Sequence, residues 1–297
     1  MDQIPFFIVD VFAERRYSGN QLAVVLNGED LEDKVMQKIA CEMNYSETTF
    51  VGRGSREKGY DVRIFTPRTE IPFAGHPVLG TAYVIVQEIL KEKASRVFLN
   101  LKAGRVDVEI NYRNGKADVL WMSQPEPVFG EKIEIKTISE VLGIDESHVD
   151  SNFPVQEVST GLPFIIVPLR SLEALRKISL SSERYYSLVE NLEAKAILAF
   201  SPETYSPDRD LSVRVFAPYY GVSEDPATGS ANGCLAAYLS KYRYLGSDHV
   251  EVRAEQGYEV ERPSLLYLRA EEKEGRISVR VGGRVVMTAR GFLLRSD

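Results

Sequence analysis

The chain has 297 residues, which fits two medium-sized domains better than one, because a single core stops growing efficiently near about 250–300 residues. Apolar residues make up 44% and charged residues 27%, a composition that excludes a disordered chain. The net charge of −7, with basic residues scattered among acids, excludes a nucleic-acid-binding stripe. No apolar run reaches the roughly 18–20 residues of a membrane helix. We therefore expect a cytoplasmic protein without nucleic-acid or membrane partners.

The first part of the chain predicts strands around one helix. Residues 5–12 and 21–26 are β-branched and aromatic, which favours strands. Apolar residues recur at helical spacing over 31–43. Two more strands are predicted at 48–51 and 60–65. The start of the chain therefore predicts two strands, one helix and two further strands, in that order.

Residues 76–90 predict a helix that is apolar on nearly every side, and a helix of this kind is normally buried. We expect it to run through the middle of a domain, wrapped by a sheet. Strands are predicted next at 96–101 and 105–110. The segment Ser-Gln-Pro-Glu-Pro at 123–127 then predicts a linker, so the first domain is expected to cover residues 1–122.

The same plan begins again after the linker. Arg-Ile-Phe-Thr-Pro at 63–67 is followed by Gly75 and the buried helix. Arg-Val-Phe-Ala-Pro at 214–218 is followed by Gly229 and a second apolar helix at 230–241. The alternative is a coincidence of two short motifs. The repeat predicts two similar α+β domains that face each other, with a ligand cleft between them.

The second predicted domain covers residues 128–297. Its central helix is the one at 230–241, and its last strand is a candidate for returning to the first domain. Its strands are predicted near 155–159, 163–168, 196–200, 211–216, 250–254, 264–270, 276–281 and 284–289.

Each predicted central helix opens with a small residue, Gly75 in the first domain and Gly229 in the second. The first N–H groups of a helix lack internal partners and carry partial positive charge, and glycine lets a ligand approach the backbone closely. Two such helix ends across a cleft would bind an anion, and a carboxylate is suitable. We therefore expect a small carboxylic-acid substrate.

Three titratable residues are candidates for chemistry. Glu47 follows the predicted helix at 31–43, and desolvation in a closed apolar cleft would raise its pKa, which suits proton transfer near neutral pH. His76 is expected to stay neutral, because the dipole of its helix disfavours added positive charge. Asp225 precedes the second central helix. Taken alone, Glu47 also fits a surface or capping acid, and Asp225 also fits a helix-entry cap.

Three ordered motifs resemble the phenazine-biosynthesis-like isomerases, the PhzF-like family. They are Ser-Glu-Thr-Thr-Phe at 46–50, Phe-Ala-Gly-His-Pro-Val-Leu-Gly-Thr-Ala at 73–82 and Glu-Asp-Pro-Ala-Thr-Gly-Ser-Ala at 224–231. The resemblance covers essentially the whole chain, but Gly-Asn-Gln at 19–21 replaces the Gly-Asn-Pro of many relatives. It implies a homodimer with the diaminopimelate-epimerase-like fold: two pseudo-symmetric α+β domains, each a curled, mostly antiparallel sheet around a buried central helix.

The resemblance also implies roles for individual residues. The glutamate of the first motif is the family's general acid/base, and it corresponds to Glu47. His76, Asp225 and Ser230 are expected to position the substrate and pass protons. The reaction implied is a cofactor-independent movement of a proton on a cyclic or conjugated acid, as in the isomerisation of a hydroxylated dihydroanthranilate. The substrate-binding backbone is expected at Gly75, Gly229 and Ser230.

Related racemases use two cysteines, one at each helix entrance. Motif alignment places those positions at Ala74 and Pro226, so a two-cysteine racemase is not expected. Cys41 and Cys234 are both expected to be core residues. The histidines show no ligand spacing, so no metal is expected either. The alternatives are lyase- or hydrolase-type chemistry in the same cleft, or a non-catalytic ligand-binding or interaction protein.

Overall fold

The computed structural model describes residues 3–294. The chain folds into two compact units. The first contains the chain up to Met122 together with the segment from Gly282 onward, and the second is Ser123–Val281. The last strand of the chain therefore belongs to the first unit, where it pairs antiparallel with the first strand.

Among the described residues, the first unit combines a mixed sheet with two α-helices and a short 3-10 helix at Gly28–Asp30. The helices are α1 (Asp33–Met43) and α2 (Gly75–Val84), and α2 continues as a π-helix over Ile85–Leu90. The strands, numbered along the whole chain, are β1 (Gln3–Val11), β2 (Asn20–Leu26), β3 (Thr48–Ser55), β4 (Gly59–Phe65), β5 (Glu70–Ile71), β6 (Arg96–Leu101), β7 (Gly104–Arg113), β8 (Lys116–Gln124), which ends at the unit boundary, and β18 (Val285–Leu294).

The second unit has the same mixed character, with more helices. These are α3 (Ile135–Leu142), α4 (Leu172–Lys177), α5 (Ser182–Val189) and α6 (Gly229–Lys241). The strands are β9 (Val128–Ile133), β10 (Val155–Ser159), β11 (Pro163–Pro168), β12 (Ala196–Ser201), β13 (Leu211–Ala217), β14 (Val222–Asp225), β15 (Val250–Gln256), β16 (Ser264–Lys273) and β17 (Arg276–Gly283), which reaches the boundary.

One strand-pairing pattern occurs in both units. From β1 to β7 the pairs are β1–β2 antiparallel, β2–β3 parallel, β3–β4 and β4–β5 antiparallel, β4–β6 parallel and β6–β7 antiparallel. From β10 to β16 the corresponding pairs follow in the same order and the same senses. The predicted α+β fold with two pseudo-symmetric halves is confirmed.

A buried helix lies at the centre of each unit. The sheet of the first unit packs around α2, whose residues from Gly75 to Ala82 are all buried. Gly80 is small because a Cβ there would lie 2.6 Å from Cδ2 of Leu22 on β2. The sheet of the second unit packs around α6, which is buried over almost its whole length. Both helices start one residue earlier than the sequence pattern predicts.

The two cysteines lie in different environments. Cys234 is buried within α6, as predicted, but Cys41 on α1 is exposed, so the prediction of a core position is wrong for Cys41. α1 buries only one side, through Met36 and Ala40. Cys41 follows Ala40 directly and is therefore turned about 100° away from that side. In the part of the chain that the structure describes, no helix is long and apolar enough to cross a membrane.

Candidate active site

Glu47 and His76 are brought together by the packing of β3 against α2. Glu47 directly precedes β3, and His76 is the second residue of α2. The buried hydroxyls of Thr49 and Thr81 lie 2.8 Å apart and join the strand to the helix. Oε2 of Glu47 consequently lies 3.3 Å from Nε2 of His76.

The His76 imidazole is neutral at ordinary pH. Its side chain is only 7% exposed. Burial lowers its pKa to about 3, opposed in part by a hydrogen bond with the backbone of Gln21. The contact with Glu47 is therefore not a salt bridge. Desolvation, rather than the helix dipole expected from the sequence, is the dominant cause of this neutrality.

The imidazole has a defined tautomer. Nε2 of His76 makes no hydrogen bond within the described residues, so the hydrogen bond with Gln21 belongs to Nδ1. This hydrogen bond raises the pKa of His76, as an accepting backbone carbonyl does, so Nδ1 carries the single proton of the neutral ring. Nε2 is then left with a lone pair that faces the carboxyl of Glu47. A hydrogen bond across this gap would need a proton on the carboxyl.

The entrance of α2 leaves backbone donors for other partners. The residue that caps it, Ala74, has no side-chain oxygen and makes no side-chain capping hydrogen bond. The first N–H groups of the helix, starting at Gly75, therefore depend on acceptors from outside the helix. An anion bound at this helix entrance stays a prediction.

In the second unit, three predicted residues lie around the entrance of α6. Asp225 ends β14, and the hydroxyl of Thr228 donates a hydrogen bond to its Oδ2. Gly229 is buried and starts α6, and Ser230 is the second residue of that helix and half-buried. The Thr228 hydroxyl donates to Asp225 and makes no capping hydrogen bond at the N-terminus of α6.

Sequence reasoning missed Gln256, a buried residue at the end of β15. Its Nε2 donates to the backbone oxygen of Asp225 at 2.7 Å. Gly257 follows with φ of +83°, and a Cβ there would lie 2.5 Å from the backbone oxygen of Pro226. The signal in the sequence is a glutamine between a strand and a glycine, which is too general to identify a site residue.

The repeated Arg-x-Phe motif is explained by one ion pair in each unit. Arg63 donates from Nε and Nη2 to the two carboxylate oxygens of Glu70, each at 2.8 Å. Arg214 donates in the same way to Glu224 at 2.9 and 2.7 Å. The ion pair between Arg214 and Glu224 holds in place the residue directly before Asp225. The motif therefore has a structural role in both halves.

Cys234 is not a candidate base. Burial raises the pKa of the Cys234 thiol to about 11, and Cys234 lies inside α6 rather than at its entrance. Among residues 3–294, no three or more His, Cys, Asp or Glu side chains are grouped as metal ligands.

The chain is similar to proteins of one family along almost its whole length. It matches the family described as "Phenazine biosynthesis-like protein" over residues 9–291. A trans-2,3-dihydro-3-hydroxyanthranilate isomerase of Pseudomonas aeruginosa is 34% identical over 287 residues, covering 96% of this chain and 98% of that protein.

Solved structures agree with this assignment. A phenazine biosynthesis protein of the PhzF family from Bacillus anthracis has a TM-score of 0.90 at 27% identity, covering 99% of this chain and 100% of that one. A hydroxyproline epimerase from Agrobacterium vitis has a TM-score of 0.63 at 11% identity, covering 99% of this chain and 91% of that one, and shares the fold. The chain belongs to the phenazine biosynthesis-like (PhzF) family and is an isomerase.

Proposed function

We propose that this isomerase moves a proton on a small cyclic or conjugated carboxylic acid, without a cofactor, with Glu47 as the general acid/base. The observation that carries the proposal is the 3.3 Å approach of the Glu47 carboxyl to the neutral, buried His76. A carboxyl shielded in this way can keep a migrating proton from exchanging with water. The similar isomerase is named for a cyclic, conjugated amino acid, which supports this substrate class.

In the proposed reaction, Glu47 breaks a C–H bond of the substrate and forms an O–H bond. The electron pair left on carbon is delocalised over the conjugated system of the acid. Glu47 then returns the proton to another carbon, which restores the carboxylate. His76 does not take the proton, because its pKa is about 3. Instead, Nε2 accepts a hydrogen bond from the protonated carboxyl and holds it in place between the two steps.

A single base is supported by the difference between the two units. Lys195 directly precedes β12, the place in the repeat that Glu47 occupies before β3. Its Nζ donates to the backbone oxygens of Val189, Glu190 and Leu192. Lys195 therefore stabilises the turn after α5. The second unit has no acid at this place, so Glu47 would perform both proton transfers.

The substrate's carboxylate would be held by backbone N–H groups, and its other polar groups by side chains. We assign the first role to the helix entrances at Gly75, Gly229 and Ser230 and the second to His76 and Asp225. Helix N-termini favour anions, which offsets the net charge of −7. We further propose a cytoplasmic homodimer without nucleic-acid or membrane partners, on the basis of the family and the composition.

The proposal is tested by turnover in deuterated water, with trans-2,3-dihydro-3-hydroxyanthranilate as the first probe and other cyclic, conjugated acids after it. A product of unchanged elemental composition, with the hydrogen moved to another carbon, is expected. A product that has lost or gained water would replace isomerisation with lyase- or hydrolase-type chemistry. Equal binding to the wild type and to Glu47→Gln, with turnover in neither, would indicate a ligand-binding protein.

A further inference from the structure

Gln256 directs all of its side-chain hydrogen bonds to the segment that contains Asp225. Its carboxamide is buried, with the residue 1% exposed. Nε2 donates to the backbone oxygen of Asp225 at 2.7 Å and to Oγ1 of Thr228 at 3.2 Å. Oε1 accepts from the backbone N–H of Thr228 at 3.2 Å and from Nδ2 of Asn232 at 2.9 Å. Both protons and both lone pairs of the amide are therefore used.

The orientation of this amide is fixed by its partners. The backbone oxygen of Asp225 can only accept, and the backbone N–H of Thr228 can only donate. A flipped Gln256 amide would oppose oxygen to oxygen and N–H to N–H at these two contacts. The nitrogen therefore faces Asp225 and Thr228.

The fixed amide in turn determines the direction of the Thr228 hydroxyl. Because Gln256 Nε2 donates to Oγ1 of Thr228, that oxygen acts as an acceptor on the Gln256 side. Its own proton is then directed to Oδ2 of Asp225, to which the hydroxyl donates. Gln256 thus determines both the position of the Asp225 backbone and the hydrogen bond to the Asp225 carboxylate.

We propose that Gln256 is a positioning residue that orients the Asp225 carboxylate for the reaction through the Thr228 hydroxyl. This inference rests on the proposed function, because Asp225 matters for turnover only if it contacts the substrate. Gln256 itself need not touch the substrate. Gly257 supports the arrangement, because only glycine leaves room for the backbone oxygen of Pro226.

The test substitution is Gln256→Glu, which keeps the shape of the side chain but replaces the donating nitrogen with an oxygen. The new carboxylate would repel the backbone oxygen of Asp225 and attract the Thr228 proton, so Asp225 would lose its hydrogen bond. The matched control is Gln156→Glu in the same unit. Gln156 is also buried, and its Nε2 donates to the backbone oxygen of Gly130 at 2.9 Å.

We expect Gln256→Glu to lower kcat for trans-2,3-dihydro-3-hydroxyanthranilate about 10- to 100-fold, because a misplaced group that positions the substrate can cost up to about 100-fold. KM should change less than about threefold, because the Asp225 carboxylate stays available to bind the substrate and only its orientation is changed. Gln156→Glu should lose similar thermal stability but keep its kcat. An equal fall in kcat for both variants would overturn the proposal, since a general structural defect would then explain it.

A double-mutant cycle tests the route through Thr228. In a Thr228→Val background, Gln256→Glu should add little further loss of kcat, whereas Gln156→Glu should remain additive with Thr228→Val. If the effects of Gln256→Glu and Thr228→Val on kcat simply multiply, Gln256 does not act through the hydroxyl and the proposal fails.

Hydrogen–deuterium exchange gives a readout that does not depend on activity. Amides of residues 225–232 should exchange faster in Gln256→Glu than in Gln156→Glu, because the segment loses its anchor. If no probe is turned over by the wild type, the proposed function fails, while faster exchange would still support the anchoring role of Gln256. Unchanged exchange in this segment would overturn the inference whatever the activity.

Discussion

Nε2 of His76 and Oε2 of Glu47 lie 3.3 Å apart in a shielded corner where β3 meets the entrance of α2. The imidazole is neutral, because burial lowers its pKa to about 3. The His76 imidazole is thus a weak base, and we expect the Glu47 carboxyl to transfer the proton. The same burial that makes His76 a poor base shields Glu47 from water.

The neutral His76 predicts a loss of stability on acidification. Unfolded His76 binds a proton near pH 6.5, whereas the folded residue does so only near pH 3. Between these values the unfolded state binds more protons, so stability falls as the pH falls. The effect is small at pH 7 and reaches about 2 kcal/mol at pH 5. The melting temperature should therefore fall more steeply with acidification for the wild type than for His76→Asn, and parallel curves would contradict this.

Gly257→Ala should be more damaging than Gly246→Ala. Both glycines have φ of +83°, so alanine is strained at each by about 1–2 kcal/mol. A Cβ at Gly246 meets nothing within 4 Å, whereas one at Gly257 would lie 2.5 Å from the backbone oxygen of Pro226. Overpacking should add about 1–3 kcal/mol at Gly257. Urea denaturation measures the difference, and equal losses would show that the loop moves freely away.

The two repeated ion pairs should differ in their contribution to stability. The side chain of Arg214 is 8% exposed and that of Arg63 is 31% exposed. Arg214→Gln leaves Glu224, whose side chain is 12% exposed, without its main partner, which should cost about 3 kcal/mol. Arg63→Gln should cost about 1 kcal/mol, because Glu70 keeps its ion pair with Lys102. Comparison of the melting temperatures of the two variants tests this, and a larger loss for Arg63→Gln would contradict it.

The internal repeat could be predicted because its residues have the same role in each unit. Arg63 and Arg214 each form an ion pair with a glutamate on the next strand, so an arginine is needed at the same place in both units. The two central helices could be predicted because burial on all sides requires an apolar sequence. Pattern alone does not predict α3, α4 and α5, because their six to eight residues are too few for periodicity to distinguish a short helix from a strand.

The candidate site was only partly predictable. Glu47, His76 and Asp225 belong to motifs, but Gln256 contacts Asp225 across 31 residues of sequence. A contact of this kind depends on the register of β15 and leaves no local pattern. The exposure of Cys41 was also not predictable, because an apolar residue on a half-buried helix can lie on its buried face or on its exposed face.

The most direct test of the central claim is the rate at which trans-2,3-dihydro-3-hydroxyanthranilate is converted to its isomer by the wild type, Glu47→Gln and Glu42→Gln. Glu42 is exposed on α1 and serves as the control. Removal of a general acid/base should slow the conversion about 10²- to 10⁴-fold in Glu47→Gln, with no change in Glu42→Gln. A wild-type conversion rate in a folded Glu47→Gln protein would contradict the assignment of Glu47 as the acid/base.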